Sequence, residues 1–176
     1  MSDQSPWPLE VRLAEIGRGD LERRMVADQV TRVKIAQLLG LDRLDLLEAT
    51  ARVSPWHDGA EIEARWTAVI EQTCGVSLER FGSELEGAFS VRVLPRTSRH
   101  APEEGPEIAV DPDAEDPPDL IDEDRFDLGA YVVEHLALEI DPFPRKPGVV
   151  FDAPAAEEPP SPFAVLRDFK PKPDGR

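Results

Sequence analysis

Cysteine occurs once in the chain, at Cys74, so no internal disulfide can form and the thiol usage fits a reducing compartment. With no partner cysteine or neighbouring histidine, Cys74 reads as a structural or incidental residue. Histidine is nearly as scarce: His57, His100 and His135 lie far apart, and with a single cysteine they give no metal-ligand spacing. Long apolar runs are missing as well. The N-terminal Met1-Ser-Asp-Gln-Ser-Pro-Trp-Pro has neither a basic start nor a hydrophobic stretch, so we expect neither export nor membrane insertion and place the chain in the cytoplasm. There is no glycine-rich phosphate loop, no Gly-x-Ser-x-Gly elbow and no aromatic-basic interleaving of the RNA-recognition type. These absences together make the expectation a protein that is not an enzyme and that takes no cofactor or metal.

Positive charge is also in short supply. The net charge of −16 argues against general binding to DNA or RNA, which depends on a basic surface. The distribution of that charge matters more than its total. Residues 103–127 hold twelve acidic side chains and one arginine, so only −5 is left for everything else. The remaining chain has room for a basic patch, with Arg92, Arg96, Arg99 beside His100, the pair Arg145 and Lys146, and Lys170, Lys172 and Arg176 as candidates, none of them dense enough to read as a binding site. The acidic run 111–124 lacks the central glycine and terminal glutamate of a calcium loop, and its prolines oppose that geometry.

What is present is a set of amphipathic segments. Residues 126–148 organise the rest: Leu128, Tyr131, Val132, Leu136, Leu138 and Ile140 share one broad side of a helix, with Ala130, Glu134 and Ala137 opposite. Asp127 is placed to cap that helix and Pro142 to end it. A boundary position suits His135. Upstream, Leu9, Val11 and Leu13 alternate as in a half-buried strand, and an extended piece is expected over Leu21–Ala27. Asp28 starts a helix running from Val30 to Leu39, and Gly40 stops it. Residues 43–54 are extended, Trp56-His57-Asp58-Gly59 is a hairpin turn, and Ile62, Ala64, Trp66, Ala68 and Ile70 are apolar where Glu61, Glu63, Arg65, Thr67 and Glu71 are not, a period that only a strand fits. A further strand runs through Leu85, Phe89, Val91 and Val93 to Pro95. These strands in succession predict an α+β fold: an antiparallel sheet, open or partly closed into a barrel, covered by the two helices. We expect one domain over 1–151 with a mobile acidic loop near 101–125, holding at most a short strand at Glu107–Val110. A flexible tail, 152–176, follows, and its segment 161–170 carries Phe163, Leu166 and Phe169 at helical spacing as a hydrophobic anchor.

Two of these segments carry a family resemblance. Asp127, Leu128, Glu134, Leu138, Pro142 and Pro144 match the form Asp-Leu-(x)5-Glu-(x)3-Leu followed by spaced prolines, and Ser161-Pro-Phe-x-x-Leu matches a C-terminal motif. Together they resemble the YceD family, the large ribosomal RNA subunit accumulation proteins, and the Asp141-Pro-Phe-Pro-Arg-Lys-Pro-Gly variant is similar to an alphaproteobacterial subgroup. Many relatives carry Cys-x-x-Cys after the long strand. Here Ser77 takes the second position, so the resemblance brings no metal or redox role to Cys74. What it implies is a role in the synthesis, processing or stability of 23S ribosomal RNA, with a precursor of the large ribosomal subunit as partner. The contacts expected are Arg145, Lys146, Phe163, Leu166, Phe169 and Lys170. A different class of function fits the same acidity: an adaptor or chaperone whose acidic segment attracts a basic ribosomal protein.

Overall fold

The computed structural model describes residues 5–17, 19–102 and 116–151. In chain order its elements are β1 (Glu10–Arg12), the single-turn helix α1 (Leu13–Ile16), β2 (Leu21–Val26), α2 (Gln29–Leu39), β3 (Arg43–Trp56), β4 (Gly59–Thr73), β5 (Arg80–Pro95), β6 (Asp119–Ile121), β7 (Arg125–Asp127) and α3 (Leu128–Glu139). Strands β2 to β6 form one sheet in that order, antiparallel except where β6 joins β5 in parallel, and the sheet stays open. β1 and β7 form a separate antiparallel pair. The α+β expectation therefore holds, and the open sheet is the form it takes.

The alternation in sequence becomes a difference between faces. Ile62, Ala64, Trp66, Ala68 and Ile70 of β4 are buried, whereas Glu63, Arg65 and Thr67 stand in solvent. Register carries the pattern across the sheet, Met25 pairing with Ala49, Ala49 with Trp66, and Trp66 with Gly87. Glycine at 87 has a steric reason: a Cβ there would lie 2.6 Å from the Trp66 ring, which occupies that space. The indole Nε1 is buried with no acceptor among the described residues.

Local signals set the element ends. Asp28 accepts the Thr31 amide at 2.7 Å and so caps α2, which holds its carboxyl below the usual range; Gly40, at φ +67°, takes the left-handed conformation that ends the helix. Trp56 pairs with Gly59 across a two-residue turn, where His57 adopts φ +54° and stacks on His100 at 4.1 Å.

Two expectations need correction. Leu13 belongs to α1 and not to the first strand, because Arg12 and Glu15 start a helical turn there. The acidic loop expected over 101–125 contains β6 and the start of β7 at its C-terminal end; Leu120 and Phe126 supply enough apolar side chain for short pairings with β5 and β1. The strand expected at Glu107–Val110 and the tail 152–176 lie outside the described residues. Among those described, no helix is long and apolar enough to cross a membrane.

Candidate functional site

The residues singled out around α3 divide into those that hold the fold and those that face outward. Asp127 is structural: one oxygen, Oδ1, accepts the amides of Gly129 at 3.0 Å, Ala130 at 3.3 Å and Leu9 at 2.9 Å, capping α3 and pinning the N-terminal segment together. Leu128 is buried in the core. Gly129 beside it is a position the sequence reading missed. A Cβ there would meet the Trp7 carbonyl oxygen at 1.9 Å, so the helix packs on Trp7 only because this residue has no side chain.

The outward group differs from expectation at one residue. Leu138, assigned to the apolar side, is 74% exposed. The buried stripe consists of Leu128, Gly129, Val132, Val133 and Leu136, rotated toward Val133, and this rotation turns Leu138 out. Glu134 is exposed, as its position opposite the core implies. It lines a cleft of about 530 Å³ between α3 and β5 with Ser90, Val91, Asp119, Tyr131 and His135. There the Tyr131 hydroxyl donates to Asp119 at 2.9 Å, and burial first, then that carboxylate, raises the phenol's pKa. His135 lies flat on Phe89 with ring centroids 4.0 Å apart, as a boundary histidine should.

At the far end of α3 the chain joins the β4–β5 loop. Pro142 is exposed, while the Pro144 carbonyl accepts the Gly75 amide at 2.9 Å and the Asp141 carbonyl accepts from Gln72 Nε2 at 3.2 Å. Lys146 reaches Glu79 at 2.8 Å, which raises the ammonium pKa and lowers that of the carboxyl. Cys74 sits inside this joint, buried, with its Sγ accepting the Val76 and Ser77 amides at 3.4 Å each. The Ser77 hydroxyl and amide, then the Lys146 amide, favour the thiolate and bring the thiol down to about 6. Leu78, at φ +60°, is thrust into solvent in the β4–β5 loop, and Phe143 and Arg145 beyond α3 are exposed as well.

The basic candidates among the described residues are mostly engaged by neighbours. Arg92 pairs with Glu61 and lies over the Trp56 ring, Arg96 pairs with Asp122, and Arg99 donates to His100. Arg24, Arg43, Arg52, Arg80 and Arg125 are likewise matched to carboxylates. Among the described residues Arg32, Lys34, Arg65, Arg99 and Arg145 make no ion pair, and they are spread over α2, mid-β4, the segment after β5 and the segment beyond α3. No sequence signal would have revealed this pairing, since partners such as Arg92 and Glu61 meet only through strand register. Phe163, Leu166, Phe169 and Lys170 lie outside the described residues.

The family described as large ribosomal RNA subunit accumulation protein YceD matches residues 62–170, well over half of the chain. No curated protein and no solved structure matches it.

Proposed function

We propose, from the premise that this chain belongs to the YceD family, that it is a non-enzymatic ribosome-biogenesis factor of the cytoplasm. It supports the synthesis, processing or stability of 23S ribosomal RNA and hence assembly of the large subunit, in line with the accumulation role in the family's description. The mechanism is binding. The folded domain docks on a precursor of the large subunit, and the segment 161–170, with Phe163, Leu166, Phe169 and Lys170, makes a second contact. Two weak contacts on one chain raise each other's effective concentration, so neither has to be strongly basic. The observation that supports this most directly is the extent of the match, which starts inside β4 and ends at Lys170, taking in the whole of that segment. A chain lacking 161–170 is expected to melt like the full chain yet co-sediment less with pre-large-subunit particles. Unchanged co-sedimentation would remove the tail from this reading.

The ion pairing favours a second reading, an acidic adaptor that holds a basic ribosomal protein before assembly. With its arginines largely matched to carboxylates, the described surface offers free charge mostly of negative sign, as at Glu63, Glu84, Glu86 and Glu134. Such a field speeds encounter with a basic protein and fades with salt. Neutralising the acids of 111–124 separates the readings. Capture of the basic protein should then fall, whereas particle binding through the first mechanism should hold or improve.

A further inference from the structure

We propose that the outer edge of β5 is a docking site for an extended segment of a basic protein, which joins the sheet as an added strand with alternating basic and apolar side chains. The proposal deepens the second reading above and rests on it for the existence of a basic partner.

β5 is paired with β4 over nearly its whole length, from Arg80 opposite Thr73 to Val93 opposite Ala60. Its other edge is covered by β6 only from Val93 to Pro95. The direction of the backbone groups along the open part follows from the hairpin. Trp56 and Gly59 flank a two-residue turn and form a hydrogen-bonded pair, so the odd residues of β4 bond to β3 and the even ones to β5. Through the register Ile62 with Val91 to Ile70 with Ser83, the odd residues of β5 then face β4. The even residues Gly82, Glu84, Glu86, Ala88 and Ser90 therefore point N–H and C=O away from the sheet. Arg96 obeys the same parity, its amide donating across this edge to the Ile121 carbonyl at 2.9 Å. Among the described residues, no group bonds the outward backbone of those five positions.

Sheets usually protect such an edge with lysine, proline, a bulge or brevity. β2, at the opposite edge, has six residues and carries Glu22, Arg23 and Arg24 in succession. From Phe81 to Val91, β5 has no lysine and no proline, and its register with β4 is unbroken.

The side chains state what the added strand should carry. On the bare face, Glu84 and Glu86 stand exposed without an ion pair among the described residues. On the covered face, Phe81, Leu85 and Val91 are only half-buried. A strand laid alongside puts its residues alternately next to the glutamates and next to these apolar side chains. A second copy of this chain fits poorly, because each carries −16 and pairing β5 with β5 sets like glutamates side by side.

The test is a titration of the full chain with a synthetic peptide that alternates lysine and valine, read by hydrogen exchange at single amides. Binding should slow exchange at Glu84, Glu86 and Ala88 by at least about tenfold and weaken with salt. Ala88→Pro removes one outward donor without touching the β4 ladder, and should cut affinity by about tenfold with the melting midpoint retained. The double variant Glu84→Lys, Glu86→Lys should lose the lysine peptide and gain one that alternates glutamate and valine, which keeps the test decisive if the proline variant misfolds. Unchanged exchange on adding peptide, affinity unaffected by these variants, amides already protected in the free chain, or a dimer in solution would each overturn the proposal. Because the readout is peptide pairing and not particle association, its failure leaves the tail-deletion experiment to judge the family role separately.

Discussion

On one side of the sheet Leu47, Ala51, Val53, Ile62 and Ile70 lie under the helices with almost no exposure; on the other side of the same strands Thr50, Arg52, Glu63, Arg65 and Thr67 stand in solvent. Identical backbone thus serves two purposes, set by alternate residues alone. The covered side leaves surface for a partner only at its margin on β5, where Phe81, Leu85 and Val91 are half-buried. Binding must use the bare side, the edges, or the end where the β4–β5 loop meets the chain leaving α3.

The sharpest way to break the contrast is inside α3, where two leucines lie two positions apart. Leu136→Ala should cost about 3 kcal/mol in denaturant unfolding, because Leu136 is fully buried, while Leu138→Ala should leave stability unchanged and act, if anywhere, on partner binding. Equal losses would mean that exposure does not separate the two regions. Cys74 offers a second probe. No polar or charged residue is buried among those described, yet this buried sulfur is faced by amides and a hydroxyl that favour its thiolate form. Its folded pKa of about 6 lies below the ordinary 9.0, so the folded state binds fewer protons across that window. Stability should therefore rise with pH from about 6 to 9 and be lost as pH falls through about 6, a dependence that Cys74→Ala abolishes. An ordinary midpoint in the thiolate ultraviolet absorbance would refute it. A smaller effect, of opposite sign to the first, is expected at the loop tip: Leu78→Gly relieves the left-handed backbone and should stabilise by about 1 kcal/mol. The smallest belongs to the bare side, where Arg52→Ala removes an exposed pair with Asp20 and should leave the unfolding midpoint where it was.

Much of the fold was readable because long strands and capped helices announce themselves locally. The period-two run through β4, the His57-Asp58 turn and the span from Asp28 to Gly40 each carry their own evidence in consecutive residues. β6 and β7 do not, since three residues hold too little pattern to count a period, and their pairing depends on chain far away. The burial of α3 was half legible. Its apolar residues cover more than one side, and which of Val133 and Leu138 turns inward depends on packing against distant elements, Gly129 seated on Trp7 among them. At the candidate site, Asp127 was legible as the cap of α3 and Leu128 as part of its apolar side, but not the bond from Leu9 to Asp127 or the joint at Pro144, and the ion pairing of the arginines depended on register. Gly129 had a signal available, a glycine just inside a helix start, where alanine would ordinarily be preferred.

The clasp between β1 and β7 has a consequence in time. Leu9 donates to Asp127 across 118 residues, and Glu10 pairs with the same aspartate, whereas β2 to β5 each pair with the strand that follows in sequence. As the chain leaves the ribosome, β2 to β5, complete at Pro95, can pair with one another well before β7 begins at Arg125 and gives the clasp its second strand. β1 is thus made before β2 to β5 yet fastened after them, and a product released short of Arg125 leaves Trp7 and Val11 without their partners on α3 and β7.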